Sequence, residues 1–431
     1  MKKKIMIIGG GASGMAAAIW AAKSGANVTI LEHMDRVGKK ILSTGNGRCN
    51  LTNRYMAANC YRSEQPDFPL KALEQFGTED TIRWFSDMGL EVKDRQGYYY
   101  PMSDQASAVL DVLRMSLKEY KIQVICGFSS VSIQKKGEGW QVAGLVKDGE
   151  TGTEKKEVIR GDALILAAGG KAAPATGSDG SGYELAKMLG HTIIRPLPAL
   201  VQLRCQGSYY KQLSGIRTDA ALTLYTEKKA AARERGELQL TDYGLSGIPV
   251  FQISRYASRA LSEKKKVTVC VDFFPEKTEA EMRQMLENRA RRFPDRLCED
   301  FLTGLLNKKL AMVLLKLSGI RLTDPCKSLT RGQIDVLTGQ IKQYQALVQS
   351  VNPFANAQVC CGGVDTREVN PYTMESKIQK GLYLTGELLD VDGICGGYNL
   401  QWAWTSGYLA GKAAAGKNAA GNRPQRKERD R

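Results

Sequence analysis

Only two histidines, His33 and His191, occur in 431 residues. That scarcity removes the commonest general acid–base group and the commonest metal ligand from nearly the whole chain. Ten cysteines are present but scattered, with no C-x-x-C or C-x4-C pair after the first helix and no Cys/His cluster at metal-ligand spacing. Dithiol exchange and a bound metal are therefore not expected, and Cys49, Cys395 and the vicinal pair Cys360-Cys361 read as buried, unreactive thiols. No segment offers the ~18 or more consecutive apolar residues of a membrane helix. Lys2 to Lys4 before an apolar run have the outline of a secretory signal, but a glycine cluster interrupts that run within a few residues. The expectation is a soluble, cytoplasmic protein with no membrane partner.

A concentrated charge of one sign is also missing. The net charge is +16, of which residues 417–431 carry +4 and Lys2 to Lys4 carry +3; the rest is spread thinly, with Lys264 to Lys266 the only other compact run. A nucleic-acid partner would call for a basic stripe with interleaved aromatics, so none is expected; a small-molecule substrate is. Hydrophobic content of 43% and charged content of 25% are those of an ordinary globular protein, long enough for two or three domains. Nothing in the sequence specifies an oligomeric state.

What is present is concentrated at the start. An apolar strand, Ile5 to Ile8, runs into Gly9-Gly10-Gly11-Ala12-Ser13-Gly14 and an alanine-rich helix, and a second strand, Asn27 to Leu31, ends in Glu32, 18 residues past Gly14. Gly9 permits the tight turn, Gly11 lets a pyrophosphate approach the backbone, and Gly14 lets helix and strand pack closely. Free N–H groups at the helix start, Ala12 and Ser13 among them, face the phosphate charge. Glu32 is placed to accept hydrogen bonds from ribose hydroxyls. The arrangement predicts a bound adenine dinucleotide.

Further along, a polar loop covers Arg36 to Asn53, and helical patterns cover Pro69 to Met88 and Ser103 to Tyr120. Short strands near Gln123 to Ile125, Val131 to Gln134, Trp140 to Val146 and Glu157 to Ile159 predict an antiparallel meander. Ala163 to Ala168 reads as a fully buried strand ending in Gly169-Gly170. From His191 the pattern changes. Alternating stretches at Leu200 to Cys205, Ala221 to Tyr225, Glu237 to Thr241 and Lys266 to Phe273 predict a second β unit, and Thr278 to Arg292, Cys298 to Leu317 and Arg331 to Leu347 predict helices. A short strand, Gly381 to Thr385, and a helix over Tyr398 to Ala410 then complete the first domain. The expected division is a nucleotide domain over 1–190, an inserted substrate domain over 191–356, the nucleotide domain resumed over 357–416, and a disordered basic tail over 417–431.

GxGxxG accommodates NAD or FAD, so the rest of the chain must choose between them. No second GxGxxG follows a strand, and the histidine count leaves little acid–base machinery for a nicotinamide enzyme. A flavin carries its own redox chemistry and asks the protein mainly for binding and orientation, which favours FAD.

At this point a resemblance enters. Gly38-Lys39-Lys40-Ile41-Leu42-Ser43-Thr44-Gly45-Asn46-Gly47-Arg48-Cys49-Asn50-Leu51-Thr52-Asn53 resembles the signature loop of the BaiN-like flavoproteins, a family that also contains enzymes described as aminoacetone oxidases. Gly362-Gly363-Val364, Thr373-Met374-Glu375-Ser376, Gly386-Glu387-Leu388-Leu389-Asp390-Val391-Asp392-Gly393 and Gly396-Gly397-Tyr398-Asn399-Leu400-Gln401 extend the likeness to nearly the whole chain. The resemblance implies an α/β fold: a glutathione-reductase-like, FAD-binding Rossmann domain interrupted by an inserted β-barrel-like and helical domain. It implies that Gly45, Asn46, Arg48 and Asn50 lie along the flavin side of the pyrophosphate, with positive charge from Lys39 and Lys40. It further implies backbone contact of Val131 with adenine and binding of the ribityl chain by Gly386, Glu387 and Asp392. A helix opening at Gly397, Tyr398, Asn399 and Leu400 would face the flavin pyrimidine edge. The activity implied is NAD(P)H-driven reduction, with the nicotinamide bound only transiently, of a C=C bond conjugated to a ketone in a bile-acid or steroid substrate held between the two domains. The alternatives are oxidation of a small amine and, in another class, RNA modification.

Overall fold

A computed structural model describes residues 2–147 and 152–416. The basic tail over 417–431 lies outside the described residues. The chain divides into two compact units, Met1–Pro196 with Val359–Arg431, and Leu197–Gln358.

The first unit is built on a five-stranded parallel sheet in the order Leu382–Leu384, Ala163–Leu166, Lys4–Ile8, Asn27–Leu31, Gln123–Ile125. Its central strands are buried without alternation, as a sheet covered on both faces requires: Ile5, Met6, Ile7 and all of Ala163–Leu166 are at most 1% exposed. Because every strand runs the same way, Gly9, Glu32, Ala167 and Thr385 all emerge at one edge. That carboxyl edge is where open α/β sheets bind ligands. Backbone bonds from Gly9 N–H to Leu31 O, Glu32 N–H to Ile125 O, Ala167 N–H to Ile8 O and Thr385 N–H to Leu166 O hold the edge in register.

Gln123–Ile125 was expected in the meander and instead forms the outer strand of the parallel sheet, pairing with Asn27–Leu31. The meander is three-stranded, Phe128–Lys136, Gly139–Lys147 and Glu154–Gly161. Alternation does not distinguish a short parallel edge strand from an antiparallel one, because partner identity is set by the crossover and not by the strand itself. The helix expected over Pro69 to Met88 is two, Asp67–Leu73 and Thr78–Asp87, broken before Gly77.

The last helix, Tyr398–Ala414, lies against the first, Ala12–Lys23. Contact is at backbone distance: a Cβ on Gly407 would stand 2.5 Å from Ser13 O, and one on Gly411 2.4 Å from Ala17 O. Around them Trp20 meets Tyr408 edge-on at 4.8 Å, Phe76 stacks on Tyr408 at 4.5 Å, and Phe85 meets Trp404 at 5.2 Å. The C-terminal segment is thereby fastened to the motif that opens the chain.

The second unit contains a closed six-stranded barrel, Leu203–Cys205, Gly244–Ser246, Lys229–Thr241, Arg217–Thr226, Val267–Asp272 and Tyr344–Val351. Two expectations are corrected here. The helix at Arg331 ends at Lys342, and the following residues form the closing strand, in which Tyr344, Ala346 and Val348 are buried at period two. The run from Cys298 opens with a 3-10 turn, Cys298–Asp300, and becomes α-helical only at Lys308, where Asn307 caps the helix through its side chain. A helix over Ile248–Ser262 was not anticipated.

His191 is buried in the first unit. Its Nδ1 lies 2.9 Å from Glu368 Oε2 and its Nε2 2.9 Å from Ser376 Oγ. Burial holds its pKa below the ordinary histidine value, against the opposing pull of Glu368. The unfolded chain therefore binds a proton, near pH 6.5, more readily than the native state does, so stability falls as pH drops through 6.5 toward the lower native pKa. Urea midpoints are expected to decline between pH 7.5 and 5.5, and His191→Gln is expected to flatten that decline.

Candidate cofactor site

Two of the three motif glycines are required by the chain itself. Gly9 has φ +102°, and a Cβ there would stand 2.3 Å from Ala167 O; one on Gly14 would stand 2.0 Å from Gly9 O. Gly11 differs. Nothing lies within 4 Å of its Cβ position, so the space before it is open. Gly11 caps the first helix with no side-chain hydrogen bond, which leaves the N–H groups of the first turn, at Ala12 and Ser13, facing that space. Ser13 is buried, its Oγ 3.2 Å from Thr385 Oγ1, and a Cβ on Gly386 would be 2.5 Å from Ser13 Oγ.

Glu32 is 6% exposed, and its carboxylate is oriented by two backbone donors, Gly10 N–H at 2.6 Å on Oε2 and Met34 N–H at 2.8 Å on Oε1. Each oxygen keeps accepting capacity for a ligand hydroxyl. Gly127 N–H donates to Met34 O and Phe128 N–H to Glu32 O, so the meander enters beside this acid. Val131 lies three residues further on, at the register shift of its strand, with its side chain 58% exposed.

The loop after Glu32 is pinned to the motif by Gly38 N–H donating to Gly10 O at 2.9 Å. Lys39–Gly47 winds as an irregular 3-10 segment in which Gly45, Asn46, Gly47 and Arg48 are exposed while Cys49 and Asn50 are buried. Lys39 Nζ is committed to Asp35 at 2.8 Å and Lys40 Nζ to Glu387 Oε2 at 2.7 Å. The two lysines thus brace the loop and the Glu387 turn. Burial pushes the Cys49 thiol up to about 12, which keeps it protonated and unreactive.

Asn50 carries a clear signal of a missing partner. It is 8% exposed, and its Oδ1 has no hydrogen-bond partner among the described residues. A Cβ on Gly397 would stand 2.9 Å from that oxygen and 2.8 Å from Thr52 O, so the loop abuts the start of the last helix. Behind this contact Thr52 Oγ1 donates to Gln401 Oε1 at 2.5 Å, Trp404 Nε1 donates to Leu51 O at 3.1 Å, and Asn53 Nδ2 donates to Gly396 O at 3.0 Å. Tyr398 is buried edge-on against Tyr61 at 5.8 Å, and its hydroxyl is raised by burial. Asn399 is used structurally, accepting from Gly393 N–H and donating to Gly393 O, both at 2.9 Å. Leu400 is half-buried, and Asp392 is buried in a short bridge to Arg62.

Gly9, Ala12, Ser13, Gly14, Glu32, Lys40, Gly386 and Glu387 therefore meet around the carboxyl edge, with Asn50 and Gly397 against one another. Val131 lies on the strand that enters beside Glu32. Gly10, whose Cβ would meet Val37 at 2.4 Å and the Glu32 carboxylate at 3.1 Å, was not singled out from the sequence. Its signal is its place in the middle of three consecutive glycines. The open space at Gly11, the oriented acid and the unpaired Asn50 oxygen fit FAD, which has phosphates, hydroxyls and a donor-bearing ring system to meet them.

Parallel sheet, glycine turn and acid define a dinucleotide-binding α/β protein of Rossmann type. The HI0933-like protein Rossmann domain family matches residues 3–413, and the chain belongs to that family. It is 48% identical over 96% of its length to the 3-dehydro-bile acid delta(4,6)-reductase of Clostridium scindens, covering 99% of that protein. It is also 29% identical to the ribosomal RNA dihydrouridine synthase of Haemophilus influenzae, over 94% of this chain and 96% of that one. The enzyme of the same name from Escherichia coli is 28% identical over 94% and 96%. Among the described residues no helix is long and apolar enough to cross a membrane.

Proposed function

We propose that the chain is an FAD-dependent oxidoreductase that reduces a carbon–carbon double bond conjugated to a ketone in a bile-acid or steroid-type substrate, with NAD(P)H as reductant. The observation that carries this reading is the 48% identity to the bile-acid reductase, which runs through both units. When bound and reduced by NAD(P)H, FAD would supply hydride from its N5 for the β-carbon of such an enone, with a proton added at the α-carbon.

The chain's own residues supply the binding and electrostatics. The open backbone at Gly11 and the first-turn amides hold the pyrophosphate, and Glu32 accepts from the adenosine ribose while its charge repels a 2′-phosphate. Glu387 accepts from the ribityl chain. The start of the last helix, beside Asn50, presents unpaired amides at the pyrimidine edge, where its positive end favours the negative charge that builds up on reduction.

A second reading is favoured by the two ribosomal RNA relatives and the net charge of +16. The 5,6 double bond of uracil is itself conjugated to a carbonyl, so the chemistry is shared and the substrate differs. Anaerobic stopped-flow on FAD-loaded protein tests both readings. Loss of the oxidised flavin band near ~450 nm with NADH or NADPH, then its return on adding a 3-oxo-4,6-diene steroid, is the expected result. Return with ribosomal RNA but not steroid moves the substrate to RNA. Bleaching by a small amine and by neither nucleotide overturns the reductase reading in favour of an amine oxidase.

A further inference from the structure

Beside the carboxyl end of the buried strand Ala163–Leu166, four polar side chains from distant parts of the chain converge. Glu387 Oε2 accepts from Lys40 Nζ at 2.7 Å, and Oε1 accepts from Cys360 N–H at 2.8 Å. Cys360 Sγ in turn accepts from Lys171 N–H at 3.1 Å. The fourth is Tyr183, on the helix Ser181–Met188. It is 5% exposed, and its hydroxyl has no hydrogen-bond partner among the described residues. The Cys360 thiol and the Glu387 carboxylate are its polar neighbours. Burial raises the phenol well above its ordinary value and the Cys360 thiol to about 12, so both are protonated at neutral pH.

A buried hydroxyl without a partner is costly, and native proteins rarely leave one unless something absent completes it. Gly170 shows where that completion lies. A Cβ on it would stand 3.0 Å from Tyr183 Oη and 3.0 Å from Glu387 Oε1, so the two oxygens flank its bare Cα, one a donor and the other an acceptor. A single alcohol placed between them would donate to the carboxylate and accept from the phenol. A phosphate cannot, because the carboxylate repels it and offers no proton.

We infer that Tyr183 is a cofactor-binding residue that works with Glu387 to hold one hydroxyl of the FAD ribityl chain. Lys40 and the Cys360 amide are the positioning groups that keep the carboxylate turned toward it. The inference rests on the FAD reading above and goes beyond it by adding a phenol from the helix after Gly169-Gly170.

Flavin-free full-length protein, wild type and Tyr183→Phe, is titrated with FAD and separately with ADP, which lacks the ribityl chain. The phenylalanine is expected to raise the FAD Kd by ~10-fold, the size of one hydrogen bond, and to leave the ADP Kd within ~2-fold. Gly170→Ala, which puts a methyl between the two oxygens, is expected to reproduce that split. Equal FAD affinity in wild type and Tyr183→Phe overturns the inference while leaving the FAD reading intact, and so does an equal loss for FAD and ADP. A wild type that binds ADP no more weakly than FAD overturns the FAD reading itself, and the inference with it.

Discussion

Gly11→Ala is expected to fold and melt within about 3 °C of wild type while losing at least ~100-fold in FAD affinity, about 2.7 kcal/mol. Gly14→Ala is expected to yield little native protein. The two glycines belong to one motif, yet the structure separates their roles. A methyl at Gly14 would be driven to 2.0 Å from Gly9 O, a backbone atom that cannot retreat without opening the turn. A methyl at Gly11 meets no protein atom within 4 Å, and its φ of −75° is one any residue adopts. Only a ligand pressed against the backbone makes alanine unwelcome there. FAD titration beside a calorimetric melt reads both quantities. A Gly11→Ala protein that binds FAD as wild type does would show that the pyrophosphate sits elsewhere.

The second large effect is expected at the far end of the chain. Gly411→Leu should cost about 3 kcal/mol or more and strip the protein of FAD, although Gly411 lies on the final helix and outside every cofactor motif. A Cβ there stands 2.4 Å from Ala17 O, again a backbone atom, so the last helix must lift off the first. Gly397, Tyr398 and the hydrogen bonds from Trp404 and Asn53 that clamp the Asn50 loop would move with it. Gly339→Ala is the matched control. It lies in the helix Arg331–Lys342 with nothing within 4 Å, and alanine there is expected to be neutral or to stabilise by up to ~1 kcal/mol. Comparable urea midpoints for Gly411→Leu and wild type would mean that the helix contact contributes little.

Much of this was legible because the signals are local. Gly9, Gly11, Gly14 and Glu32 report their own backbone geometry, and the unalternating run Ala163 to Ala168 reports burial on both faces. A reader of the chain alone can therefore place the nucleotide turn, and the glycine-rich return after residue 380 reveals that the fold closes late. Tyr344–Val351 was legible in principle, since its buried residues alternate, but no glycine or proline separates it from the preceding helix, and so it read as more of the same. Gln123–Ile125 was seen as a strand and given the wrong neighbours.

By itself, then, the sequence determined the dinucleotide turn and the acid beside it, because both are written within about thirty residues. Only the tertiary structure decided that Lys40 reaches Glu387 across 347 positions, that Gly411 meets Ala17, that Asn50 is left with a buried unpaired oxygen and that Tyr183 stands beside Gly170. The physical reason is that a side chain's type and spacing constrain its own backbone, whereas its partner is chosen by packing among segments far apart in the chain.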